Sequence, residues 1–278
     1  MSGNDDNVVR TRDYYDNKDT DIFYRKAWGD EHIHLGIFKD YYEPIQSACL
    51  RTVRTMAEKV GSISSDTEVL DIGSGYGGTA RYLASTYGCH VNALNLSEVQ
   101  NRRSEELNRK RKLQRNISIV EGSFEDMPFE DETMDICWSI DAILHSGNRK
   151  KVVEEVSRVL RPGGDFVFTD PMRTDDCPHD ILEPILERIH LSDMGSLSFY
   201  RSEARDAGLE EVSFTDLSQH LVNTYGRVLE FTENNEETLS DEISREFIDH
   251  MEEGLRHWVE GGKEGHLGWG IMHFRKKT

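Results

Sequence analysis

Apolar and polar positions recur along this chain with two alternating periods, and the switches between them mark its elements. Val69-Leu70-Asp71-Ile72 is short and apolar apart from one acid, as expected of a buried parallel strand. Before it, Ile45, Ala48, Cys49, Thr52, Val53, Met56 and Val60 recur at helical spacing, which predicts a helix over 43–60. After it, 79–87 predicts a helix ended by Gly88, and 91–96 a second strand. Ser97 and Gln100 are spaced as a capping box for the next helix. Strands follow at 117–120, 134–139 and 165–170, with a helix at 149–160. Beyond lie helices at 181–189 and 202–207, a strand at 212–217, a charged helical stretch at 228–259 and a last strand at 267–274.

This β-α alternation with short connections predicts an α/β fold: a mostly parallel sheet with helices on both faces. Ligands in such sheets sit at the carboxyl ends of the strands. Those ends carry the glycines at 73, 75 and 77, Asn95, Ser123, Asp141 and Asp170. Residues 1–60 read as an aromatic-rich lid plus a helix, and 61–278 as the main domain, with capping inserts at 171–200 and 219–262. The first twenty residues are charged, which predicts a mobile start.

Asp71-Ile72-Gly73-Ser74-Gly75-Tyr76-Gly77-Gly78 is the most informative stretch. Glycines after a buried strand let the backbone turn sharply and let a ligand approach the following helix N-terminus. Gly73, Gly75 and Gly78 also fit a dinucleotide-binding spacing, so this stretch alone leaves two cofactor classes open.

Composition narrows the choice of partners. A net charge of −19, from 33 basic and 52 acidic residues, opposes binding to nucleic acid and anionic membranes. Four scattered cysteines without a C-x-x-C, and a polar start without a signal peptide, predict reduced thiols in the cytoplasm and no metal site. Monomer and homodimer both remain open.

Taken in register, Asp71-x-Gly73-x-Gly75-x-Gly77, Asn95, the 125–129 loop and Leu160-Arg161-Pro162-Gly163-Gly164 resemble the class I S-adenosylmethionine-dependent methyltransferases. That resemblance implies a Rossmann-like sheet of seven strands with the last antiparallel, and S-adenosylmethionine as cofactor. It implies cofactor contacts from Asp71, Gly73, Gly75, Gly77, Asn95, Leu96, Ser123, Phe124, Ile140 and His34. The family usually has an acid where Asn95 stands. An amide keeps one acceptor and loses the charge.

Longer stretches resemble the sarcosine/dimethylglycine N-methyltransferases: Trp28-Gly29-x-x-x-Ile33-His34, Ala93-Leu94-Asn95-Leu96-Ser97, Thr169-Asp170-Pro171-Met172, Asn223-x-Tyr225-Gly226-Arg227 and His257-Trp258-Val259. Asp141-Ala142-Ile143-Leu144-His145 with Tyr15 also looks like the phosphoethanolamine N-methyltransferases. These likenesses imply a small-amine acceptor and assign catalysis to Asp141, His145 and Tyr15. A methylated ammonium calls for aromatic faces, for which Trp28, Tyr24 and Tyr200 are candidates. Pro171 and Met172 fall on the acceptor side. Arg188, Arg173 and Arg201 are candidates for holding an acceptor carboxylate. The expected reaction is methylation of sarcosine and dimethylglycine to glycine betaine. Phosphoethanolamine methylation, a nicotinamide-dependent oxidoreductase and a binding protein without turnover are the alternatives.

Overall fold

Strand pairing explains why the apolar runs are where they are. In the computed structural model, which describes residues 3–188, 191 and 193–278, seven strands form one sheet. They are β1 (Glu68–Ile72), β2 (His90–Asn95), β3 (Ile117–Glu121), β4 (Met134–Ile140), β5 (Leu160–Thr169), β6 (Leu209–Asp216) and β7 (Gly270–Lys276). The order is β3-β2-β1-β4-β5-β7-β6, with β7 antiparallel to both its neighbours and the other pairs parallel. Because β1 sits mid-sheet, its end and that of β4 lie side by side.

Alternate side chains on the strands enter different cores. Leu70, Ile72, Cys137, Phe166 and Phe168 face one. Val69, Val91, Ile136, Trp138 and Val167 face the other. The elements preceding the sheet are α1 (Gly3–Asp16), α2 (Lys18–Trp28) and α3 (Ile45–Val60). Crossovers α4 (Gly78–Tyr87), α5 (Glu98–Lys110) and α6 (Arg149–Val159) connect the parallel strands. The remaining helices are α7 (His179–Arg188), α8 (Leu197–Asp206), α9 (Ser218–Asn234), α10 (Glu236–Ser240) and α11 (Arg245–Lys263). A third apolar cluster joins α2, α3, α9 and α11 through Phe23, Trp28, Cys49, Leu221 and Trp258. None of the described helices is long and apolar enough to cross a membrane.

Several expectations change. Residues 3–16, to which no element was assigned from sequence, form a helix, and Asn17 caps the next helix by accepting from Asp19 N at 2.8 Å and Thr20 N at 3.3 Å. The charged stretch at 228–259 is three helices. Asn235 ends α9 by donating its Nδ2 to Phe231 O, and Ser244 starts α11 with its N and Oγ both on Asp19 Oδ2. Arg161 to Gly164 form a bulge within β5, between the pairs Met134–Leu160 and Ile136–Asp165. Ser97 does cap α5, accepting from Gln100 N at 3.1 Å, but the Gln100 side chain turns to Asn95.

Arg81 on α4 is buried and fastens the turn after β1 to its surroundings. Its guanidinium donates twice to Glu31 Oε2, at 2.9 and 2.8 Å, and to Tyr76 O at 2.6 Å and Asn108 Oδ1 at 3.1 Å. Removing one member of such a pair leaves the rest unsatisfied, so Arg81→Met should cost about 3 kcal/mol. Urea unfolding checks this; a loss below about 1 kcal/mol would mean that the clamp is not structural.

Candidate active site

A cavity of about 810 Å³, its open mouth included, lies where β1 ends. Gly73, Gly75 and Gly77 all have positive φ, and protein neighbours explain two of them directly. A Cβ on Gly73 would lie 2.3 Å from Ala142 Cβ, and one on Gly77 2.2 Å from Ser104 Oγ. Gly75 has only Ile33 within reach, at 3.6 Å, so there the backbone conformation is the constraint. Asp71 faces this cavity; its Oδ2 is buried without a hydrogen-bond partner, and burial raises its pKa to about 7.

Asn95 lies at the end of β2 on the cavity wall. Its Nδ2 donates to Gln100 Oε1 at 3.1 Å and Asn101 Oδ1 at 3.3 Å, which leaves Oδ1 to accept from a hydroxyl. Leu96, Phe124 and Ile140 supply apolar wall. Ser123 does not line the cavity. Its Oγ accepts from Glu125 N at 3.1 Å and closes the loop after β3.

A second cavity of about 490 Å³ shares Tyr15, Ile33, His34, Asp141 and His145 with the first, so the two meet at the carboxyl end of β4. Asp141 adopts φ of +51°, rare for a residue with a side chain, and its carboxylate is pinned from three directions. Oδ2 accepts from Leu35 N at 2.7 Å; Oδ1 accepts from Thr169 Oγ1 and Trp269 Nε1, each at 2.7 Å. Burial raises its pKa to about 6, against the pull of those donors. That value lies below neutrality, so the ionised form is favoured at pH 7. Tyr15 Oη and His145 Nε2 are 2.9 Å apart beside it.

His34 also stands between the cavities. Its Nδ1 meets a carbonyl, Leu35 O, at 2.9 Å and must therefore donate. Burial lowers its pKa to about 4, so the ring is neutral and Nε2 accepts from His32 Nδ1 at 3.2 Å. The 32–35 segment thus runs along both cavities with its backbone tied to Asp141.

Of the expected acceptor residues, Tyr24, Trp28 and Pro171 line the second cavity. Met172 and Tyr200 do not. Met172 sits in the core and pairs with Gly268. Tyr200 is a core residue against Phe168, and its hydroxyl donates to Asp170 Oδ2 at 2.5 Å. Arg201 is spent on Glu211 at the surface, and Arg173 donates to Met194 O. Arg188 ends α7, with its side chain outside the described residues. Sequence reasoning gave no site role to Tyr225 and Trp258, which line the second cavity from α9 and α11, or to Trp269. The first two fall in stretches that resemble the family, which is the only signal for them.

Comparison with known proteins places this geometry among relatives. The methyltransferase domain family matches residues 70–168. The chain is 48% identical over 267 residues to the sarcosine/dimethylglycine N-methyltransferase of Aphanothece halophytica, with 96% of each chain covered. It superposes with a TM-score of 0.90 on a crystal structure from Galdieria sulphuraria, provisionally assigned as a sarcosine dimethylglycine methyltransferase. That alignment has 41% identity and covers 95% of this chain and 99% of the other. The fold is shared at 19% identity with a Haemonchus contortus phosphoethanolamine N-methyltransferase crystallised with S-adenosylhomocysteine, at a TM-score of 0.82, covering 96% of this chain and 60% of the other.

The three donors favour ionised Asp141, so deleting one must raise its pKa. In Trp269→Phe, the Asp141 carboxyl should titrate clearly above 6 in carbon-detected NMR. An unmoved midpoint would contradict the role given to the indole.

Proposed function

The chain belongs to the sarcosine/dimethylglycine N-methyltransferases, which are S-adenosylmethionine-dependent enzymes, and on that premise we propose that it methylates sarcosine and then dimethylglycine, releasing glycine betaine. The observation that carries this reading is the meeting of the two cavities at the Asp141 carboxylate, with aromatic rings on the wall of the smaller one.

The residues of the larger cavity fit S-adenosylmethionine, which supplies a methyl group already activated on a sulfonium. Asp71, with its unpartnered Oδ2, would take the ammonium of the cofactor. Asn95 Oδ1 would accept from a ribose hydroxyl, and Leu96 and Phe124 would flank the adenine. The glycines keep the turn after β1 close to its neighbours.

The acceptor nitrogen must present a lone pair, yet such amines are cationic at neutral pH. Charged Asp141 attracts the ammonium into the smaller cavity. Tyr15 and His145 then form a proton path: Tyr15 Oη accepts the proton from nitrogen while passing its own to His145 Nε2. Trp28 and Tyr24, with ring centroids 5.2 Å apart, offer faces to a quaternary product.

We assign α1 and α2 the part of a lid. Beyond Tyr15–His145, Asp16 accepts from Ser97 Oγ at 2.5 Å and Asp21 from Tyr76 Oη at 2.6 Å. All three contacts reach elements of the larger cavity, so closing the lid excludes water and supplies Tyr15 in one movement.

Purified protein given S-adenosylmethionine and dimethylglycine should yield betaine by mass spectrometry; dimethylglycine left unchanged would refute the assignment. Tyr15→Phe and His145→Gln should each lower kcat about a hundredfold while S-adenosylhomocysteine still binds. Unchanged kcat in both would remove the proton path. A cofactor ammonium favours ionised Asp71, so binding lowers a pKa of about 7 and releases a proton. Affinity for S-adenosylhomocysteine should therefore rise about tenfold from pH 5.5 to 7.5 by calorimetry, and Asp71→Asn should flatten that dependence. An equally steep rise in the variant would place the titrating group elsewhere.

A further inference from the structure

The aromatic residues of the smaller cavity come from two unrelated parts of the chain. Tyr15, Tyr24 and Trp28 arrive with the N-terminal helices. Tyr225 and Trp258 arrive from α9 and α11. The second pair is fixed. Trp258 is fully buried, Tyr225 is 8% exposed, and their rings lie 4.8 Å apart at 43°. Both belong to the apolar cluster that joins α2, α3, α9 and α11, so neither ring can swing away without disturbing it. This wall faces the same space as the Asp141 carboxylate.

Sarcosine and dimethylglycine differ at one place on nitrogen. Where sarcosine has a second N–H, dimethylglycine has a second methyl. An N–H needs an acceptor, and the β4 end supplies one in Asp141. An N-methyl gains nothing there. It needs an apolar or aromatic face, and on a cationic nitrogen its hydrogens carry part of the positive charge, which rings attract.

We propose that Tyr225 and Trp258 form the surface that reads the number of methyl groups on the acceptor nitrogen, and that they favour dimethylglycine over sarcosine. The inference rests on the acceptor assignment made above and adds the specificity-determining residues to it. Burying one methyl in an apolar site is worth about fourfold in affinity, and a desolvated ring–cation contact raises that to tenfold or more. Removing a ring should therefore penalise the more methylated substrate selectively.

The test compares kcat/KM for the two substrates in Tyr225→Leu, Trp258→Leu and Trp258→Phe, with S-adenosylhomocysteine affinity as the check on folding. In both leucine variants the dimethylglycine-to-sarcosine ratio should fall about tenfold through KM, with kcat little changed. Trp258→Phe keeps a ring face and should restore most of the ratio. Tyr225→Leu decides alone if Trp258→Leu fails to fold. A ratio unchanged in a variant that binds S-adenosylhomocysteine normally would overturn the proposal, since plain packing damage lowers both substrates together. Tetramethylammonium, followed by tryptophan fluorescence, separates this inference from the acceptor assignment. If the native protein methylates neither amino acid but binds tetramethylammonium, and Tyr225→Leu weakens that binding, the wall stands and the assignment falls. If Tyr225→Leu leaves tetramethylammonium binding intact, the wall falls whatever the substrates do.

Discussion

The carboxylate of Asp141 holds the site together. It accepts hydrogen bonds from Leu35 N, Thr169 Oγ1 and Trp269 Nε1, three groups far apart in sequence. Thr169 ends β5, Trp269 precedes β7, and Leu35 closes the segment that carries His32 and His34. One side chain therefore fixes the relative positions of the sheet, the last strand and the covering segment. Its own backbone is held in a left-handed conformation to do so. Charge–hydrogen-bond contacts of this kind are each worth about 1.5–3 kcal/mol, which is enough to maintain that backbone strain.

The same constraint produces the chemistry. Burial works against ionisation and the donors work for it, and the balance leaves Asp141 charged near neutrality but only just. A fully solvated carboxylate would be screened and would attract an ammonium weakly. A buried one without donors would be protonated. Next to it, Asp71 has burial without donors, and Asp170 is pushed up to about 8 although it accepts from Tyr200 and Leu144 N. Burial raises all three acids at neighbouring strand ends; donors oppose it at Asp141, and at Asp170 the nearby Asp141 charge adds to it.

The sheet was largely legible in the sequence, because strand runs, the glycine turn and the Ser97 cap are local signals. That the last strand is antiparallel came from the family resemblance; its place between β5 and β6 comes from the structure. What local pattern could not carry is decided by tertiary contacts. Residues 3–16 carry no helical signal of their own; the resemblance singled out Tyr15, but the Asp16 contact with Ser97 appears only in the folded chain. Tyr200 looks like any other aromatic near the site, yet its hydroxyl serves Asp170 inside the core. Tyr225 and Trp258 lie on helices whose apolar stripes read as ordinary packing, and only the folded chain brings their rings to the cavity. Ser123 is at the predicted place in sequence, but its hydroxyl is used by the loop itself.

Every functional step above requires the acceptor nitrogen to sit where the two cavities meet, against Asp141. A crystal structure of the protein with S-adenosylhomocysteine and dimethylglycine bound together tests this most directly. The nitrogen should lie beside the Asp141 carboxylate, within reach of Tyr15 Oη and facing the sulfur. A nitrogen placed away from Asp141, with its carboxylate occupying that position, would contradict it.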